Sequence, residues 1–173
     1  MKELQSRKNN RLKGYDYSKN GAYFITICTL DRVNLFGNVV VGADSISARM
    51  ELNHAGRMIE DIYFKTINKY STVNSDIFVI MPNHFHCIIS IMRADIESAP
   101  TIAEIIQSFK RNSTIKYISG VKAGKHDPFN GRIWQRSYHD HIIRNDAEYQ
   151  RIWQYIDENP ARWSEDKYYT KST

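Results

Sequence analysis

Behind a polar stretch over 1–20, apolar runs of strand character follow one another in pairs. Ala22-Tyr23-Phe24-Ile25-Thr26-Ile27-Cys28-Thr29 is rich in β-branched and aromatic residues and reads as a strand. Leu35 to Val41 and Ser45 to Leu52 read as two more, with Gly42-Ala43-Asp44 turning between them. The period then changes. Behind Asn53, a good N-cap, Met58, Ile59, Ile62, Tyr63 and Ile67 recur at helical spacing and predict a helix to about Tyr70. Asp76 to Ile80 and His84 to Met92 predict a hairpin. Met81-Pro82-Asn83 is its turn, because proline lacks the N–H that a central strand needs. After a polar loop over 93–100, Thr101 caps a second helix with apolar positions Ile102, Ile105, Ile106, Phe109, Ile115 and Ile118, ending at Gly120. Val121 to Gly131 predicts a loop and Ile133 to Ile143 a last strand. Asp146 then caps a final helix with Tyr149, Ile152, Trp153 and Ile156 inward, stopped at Pro160.

Strands that come as hairpins, with helices between them, predict an α+β fold. Its sheet is antiparallel with helices packed on one face, and a ferredoxin-like arrangement is the natural candidate. A chain of 173 residues that is 42% apolar supports one domain with its own core. The boundaries read as a basic N-terminal arm over 1–20, a domain over 21–165 and a C-terminal tail over 166–173. No apolar stretch is long enough for a membrane helix, and the basic N-terminus lacks a secretory core, so a cytoplasmic location and no membrane partner are expected. Cys28 and Cys87 each sit inside an apolar run and read as core thiols, not as a disulfide or a zinc site.

Charge adds a partner class. Lys and Arg number 24 against 19 Asp and Glu. The excess clusters at Lys2, Arg7, Lys8, Arg11 and Lys13, and again at Lys110, Arg111, Lys116, Lys122 and Lys125. Clustered cations with eleven tyrosines suit a nucleic-acid backbone, and a solvated basic face suits the same pattern equally. Arg11, Lys13, Lys110, Arg111 and Lys116 are candidate phosphate contacts. Tyr15 and Tyr17 are candidate stacking residues for unpaired bases.

The chemistry concentrates at Pro82-Asn83-His84-Phe85-His86. Residues i and i+2 of a strand share a face, so His84 and His86 project side by side. Two imidazoles make half of a divalent-metal site. Further on, Tyr155 and Asn159 lie four residues apart on the final helix and also share a face. If that face meets the histidines, Asn159 completes the metal site and Tyr155 can attack an atom held there. A phenol with pKa about 10 needs a neighbouring metal or base to lose its proton. Tyr138 is a rival nucleophile, and His139 and His141 repeat the His-x-His pattern, with Asp140 between them. Tyr138 has no oxygen ligand at comparable spacing. Taken alone, each of these residues is equally a core or surface side chain.

Met81-Pro82-Asn83-His84-Phe85-His86-Cys87 resembles the His-hydrophobic-His signature of single-tyrosine HUH transposases. Gln135 to Arg144, Tyr155 to Pro160, Arg11 to Tyr17 and Ala22 to Thr29 are similar, in order, to blocks of the REP-associated tyrosine transposase branch. The resemblance implies a ferredoxin-like domain over 21–165 that nicks and rejoins single-stranded DNA near hairpins. It implies His84, His86 and Asn159 as ligands of Mg2+ or Mn2+. Tyr155 is then the nucleophile, giving a 5′-phosphotyrosine and a free 3′-hydroxyl. Asp140 and His141 match the family block as supporting residues, and a monomer is favoured over a dimer. Two other readings stay open: a non-catalytic or domesticated DNA-binding relative, and a metal-dependent hydrolase using water.

Overall fold

A computed structural model describes residues 21–42, 48–92 and 99–170. Its centre is a four-stranded antiparallel sheet of β1 (Gly21–Cys28), β4 (Val73–Ile80), β5 (His84–Ile91) and β6 (His139–Ile143). The strand order is β4-β5-β1-β6. A separate hairpin, β2 (Gly37–Val41) and β3 (Ala48–Leu52), precedes α1 (His54–Asn68). With α2 (Ile102–Lys122) between β5 and β6, the sheet is wound β1-α1-β4-β5-α2-β6, the ferredoxin-like path. The arm over 1–20, with Arg11, Lys13, Tyr15 and Tyr17, lies outside the described residues, as do 43–47 and 93–98.

The helices do not share one face. Tyr23, Ile25, Ile27, Phe85, Cys87, Ile89 and Ile91 point to the side covered by α1 and α2. There the rings of Tyr63, Phe85 and Phe109 meet at centroid distances of 4.7 to 5.7 Å. Such a ring is worth about 3–5 kcal/mol against alanine when fully buried. The opposite side is covered by α3 (Asp146–Asp157), whose Ile156 packs with Ile88, Ile143, Phe24 and Val79. Alternation on β5 carries the reason. One face is apolar and packs on α1 and α2, the other holds both histidines and Ile88 and is covered by α3, so nearly the whole strand is buried. The phenol of Tyr149 on α3 donates to the Asp76 carboxylate of β4 and ties the helix across that second face.

Caps set most helix starts. Asn53 accepts from the Gly56 N–H, and Thr101 with Glu104 forms a full capping box. The cap of α3 is Asn145, one residue before the expected Asp146; its side chain accepts from the Glu148 N–H. Helix α2 runs past Gly120 to Lys122, and the left-handed residue beyond it is Gly124. Gly120 is small for another reason: a Cβ there would meet the His126 ring. The buried stripe of α2 continues from Phe109 to Ser113 and Tyr117, leaving Ile115 and Ile118 exposed. Trp153 on α3 is also exposed rather than inward.

The largest departure is at 133–138, expected as strand. Only His139–Ile143 pairs with β1; the preceding residues form an arch held by a single bridge from Trp134 to Thr29. Lys110 on α2 explains it. Its ammonium donates to the carbonyls of Gln135, Arg136 and Ser137, which are thereby unavailable to a strand ladder. Ile133 and Trp134 are buried beneath the arch, and the Trp134 indole N–H donates to Ser113. Tyr138 therefore lies before the last strand, not in it.

Candidate active site

His84 and His86 stand at the start of β5 on the face that α3 covers, 0% and 1% exposed. Each ring is held through Nδ1. His84 Nδ1 lies 2.9 Å from the Asn83 side-chain oxygen, so it carries the proton and leaves Nε2 as a lone pair. His86 Nδ1 lies 2.8 Å from the Thr26 hydroxyl on β1. Burial lowers the pKa of His84 to about 4, against a smaller opposing pull from Asp166. Burial, together with the neighbouring His84, holds His86 well below its usual value. Both rings are neutral at physiological pH, the state a metal ligand requires.

Helix α3 brings Tyr155 and Asn159 to these rings. The Tyr155 hydroxyl is 3.3 Å from His86 Nε2 and 3.4 Å from the Asp166 carboxylate. Phe24 from β1 packs against both, stacked on His86 at 5.2 Å and edge-on to Tyr155 at 5.9 Å. Tyr155 remains 39% exposed, so one side of the phenol is open to a substrate. Its pKa is raised, by burial first and by the Asp166 charge second. A hollow of about 200 Å³ opens beside it, lined by Tyr155, Asn159, Arg162, Glu165 and Asp166.

Two buried polar atoms here, His84 Nε2 and Asn159 Oδ1, have no hydrogen-bond partner among the described residues. A buried lone pair left unsatisfied is costly, and a cation between such acceptors removes the cost. Asp166 adds a carboxylate: its oxygen and ring nitrogens of His84 and His86 lie within 4.8 Å of one another. The donor set of two imidazoles, an amide oxygen and a carboxylate fits a divalent cation. Asn159 turns its amide N–H to Asp166 at 2.8 Å, which orients its oxygen away from that carboxylate.

Asp166 had no sequence signal beyond being an acid shortly after Asn159, in a segment read as tail. Residues 166–170 in fact pack against the histidines. The Tyr168 ring lies 4.7 Å from His84 and 5.9 Å from His86. Asn83, read only as a turn residue, ties this segment down: its amide donates to the carbonyls of Arg32 and Tyr168 and to the Thr170 hydroxyl. One side chain thus fixes the His84 tautomer and the returning chain together.

The other candidates are placed apart. Tyr138 sits under the Lys110 ammonium at 5.8 Å, on the arch beside α2. His141 Nε2 pairs with Glu148 at 2.8 Å, and the second Glu148 oxygen accepts the Arg144 N–H. That pair holds the turn from β6 into α3. Asp140 lies in β6 opposite Ile25. Lys110, expected on phosphate, is spent on the arch carbonyls, and desolvation lowers its pKa to about 8. Arg111 and Lys116 are exposed on α2.

Among the described residues no helix is long and apolar enough to cross a membrane. The chain is 33% identical over 183 aligned positions to an uncharacterized protein of Haemophilus influenzae (strain ATCC 51907 / DSM 11121 / KW20 / Rd), covering 96% of this chain and 94% of that one. It is 24% identical over 147 positions to a protein of the same organism provisionally named REP-associated tyrosine transposase, covering 85% of this chain and 74% of that one. Its fold matches the structure of a REP-associated tyrosine transposase bound to a REP hairpin, with TM-score 0.56 and 18% identity over 88% of this chain and 73% of that one. The family model of IS200-like transposases matches residues 50–159, from β3 through both histidines to Asn159, and the chain belongs to that family.

Proposed function

We propose that this protein nicks single-stranded DNA and transfers the strand, with Tyr155 as nucleophile and a divalent ion held by His84, His86 and Asn159, joined by Asp166. The observation that carries the reading is the Tyr155 hydroxyl at 3.3 Å from His86 Nε2, beside the unpartnered His84 Nε2 and Asn159 Oδ1. Residues nearly seventy positions apart in the chain converge there. A structural tyrosine gives no account of the two bare acceptors.

Bound at these atoms, Mg2+ or Mn2+ would act as a Lewis acid on a non-bridging phosphate oxygen. The chain's own residues do the rest. Asn83 and Thr26 hold the imidazoles in place through their Nδ1 atoms. Phe24 and Ile156 fix the helix so that the phenol faces the histidines. The Tyr155 oxygen attacks phosphorus as its proton passes to the Asp166 carboxylate, the acceptor 3.4 Å away. The P–O3′ bond breaks and the departing 3′-oxygen takes a proton from water, leaving a 5′-phosphotyrosine and a free 3′-hydroxyl. Because the phosphodiester is exchanged rather than hydrolysed, a 3′-hydroxyl can reverse the step without ATP. The hairpin-bound relative supports a hairpin-bearing strand as substrate.

The test is incubation with hairpin-bearing single-stranded DNA and Mn2+ or Mg2+. A covalent protein–DNA band that disappears in Tyr155→Phe is expected. Cleavage that survives Tyr155→Phe would sink the tyrosine mechanism in favour of water as nucleophile, and binding without any cleavage would leave a DNA-binding relative with an idle site.

A further inference from the structure

A second concave surface lies away from Tyr155, between α2 and the arch at 131–138. Its volume is about 630 Å³, within the roughly 300–1,000 Å³ of small-ligand sites. Three guanidinium groups, Arg111, Arg132 and Arg136, line it, all on exposed residues with no carboxylate partner among the described ion pairs. Its lining residues include no acid. The same lining carries flat or apolar surfaces: Tyr138, Trp134, and Ile115, an isoleucine 58% exposed that the core does not use. Cations around apolar and aromatic surface match an anion that also carries flat bases.

Two residues of this groove also line a smaller hollow of about 140 Å³. Gln135 and Tyr138 are shared, and the second hollow adds Thr26, Ser137, His139 and Tyr168. Thr26 is the residue 2.8 Å from His86 Nδ1, and the Tyr168 ring is 5.9 Å from His86. The two hollows therefore adjoin at Gln135 and Tyr138, and the second reaches Thr26 and Tyr168, which neighbour His86. A small anion would not need both; a polymer passing Tyr155 would.

We infer that the α2–arch groove holds the single-stranded DNA flanking the cleavage point, with Arg111, Arg132 and Arg136 on its phosphates and a base against Ile115 and Tyr138. This deepens the reading of Tyr155 as a DNA-cleaving residue and rests on it. Lys110 has a different part. By fastening the arch to α2 it keeps Arg132 and Arg136 facing Arg111 across the groove.

The test is fluorescence anisotropy of the full chain with a labelled oligothymidylate of about 16 nucleotides, titrated over NaCl in EDTA. Each phosphate contact to a single strand contributes about 0.7 to the log–log salt slope. Replacing Arg111, Arg132 and Arg136 together by alanine should flatten that slope by about 2 and weaken low-salt binding about tenfold or more. Ile115→Glu, at an exposed helix position, should weaken it with the arginines intact. The comparison variant replaces Arg57, Lys65 and Lys69 by alanine, removing the same charge from α1, and should change the slope far less. Equal losses in the two triple variants, or no loss in either groove variant, overturn the proposal, as does a wild-type chain that ignores the oligonucleotide. The chemistry of Tyr155 is scored separately. Wild-type protein that binds with these slopes yet forms no covalent adduct on hairpin DNA refutes the nucleophile and upholds the groove.

Discussion

The chain writes His-x-His twice, and only one copy is buried against Tyr155. His84-Phe85-His86 starts β5, which has β4 on one side and β1 on the other; His139-Asp140-His141 lies in β6, bonded to β1 alone. Both pairs stand on the same face of the sheet, since Thr26 is opposite His86 on one side and His139 on the other. Position in the sheet decides between them. In the middle, the rings are buried, oriented through Nδ1 and roofed by α3, so their Nε2 atoms meet Tyr155, Asn159 and Asp166. At the edge, His139 is exposed, and His141 is taken by Glu148 at the start of α3. The edge pair's contribution is to the turn that aims α3 at the central pair.

The sharpest way to break this contrast is to truncate each pair. His84→Ala or His86→Ala should lower covalent adduct formation by about 10²–10³-fold or more, the scale of losing one fixed electrostatic contact at a reacting group. His139→Ala should stay within tenfold, read on the same gel. A larger fall in the edge variant would put both pairs in the site. Next in size is Asn83→Ala. It removes the partner of His84 Nδ1 and the tie to Tyr168 and Thr170, so about 10–100-fold in metal affinity or rate should be lost. Activity regained at high Mn2+ separates this positioning role from simple unfolding.

The buried pair should also show in the acid stability of the metal-free chain. The His84 pKa is about 4 folded against an ordinary 6.5, so the unfolded chain binds more protons between those values. Stability therefore falls as pH drops from 6.5 toward 4. Melting temperatures in EDTA should fall over that window, and less steeply in His84→Ala. On the edge side, Asn145→Ala removes the α3 cap and should cost about 1 kcal/mol, a drop of roughly 2–4 °C in Tm. Smallest of all, Ellman's reagent should find no fast thiol in the native protein and two after denaturation. Burial raises Cys28 and pushes Cys87, on the strand face behind the two histidines, up to about 12.

Legibility in the sequence followed the range of the interaction. Asn53, Thr101 and the Pro82 turn were readable because a cap or turn closes over three or four residues. The 133–138 arch was not, because the residue that captures its carbonyls, Lys110, lies a helix away. Ile115 misled for a related reason: its apolar character belongs to a groove wall, and periodicity counts every apolar residue as core.

By itself the sequence determined the α+β winding and two local pairings: His84 with His86 at strand spacing, and Tyr155 with Asn159 at helix spacing. Both follow from backbone periods of two and about four residues, which need no knowledge of the rest of the chain. Only the tertiary structure decided which His-x-His was central and that α3 crosses the second sheet face. It alone brought Asp166 and Tyr168 back onto the histidines. These depend on which surfaces remain to be buried once the first layer has packed, and that is a property of the assembled sheet rather than of any stretch of residues.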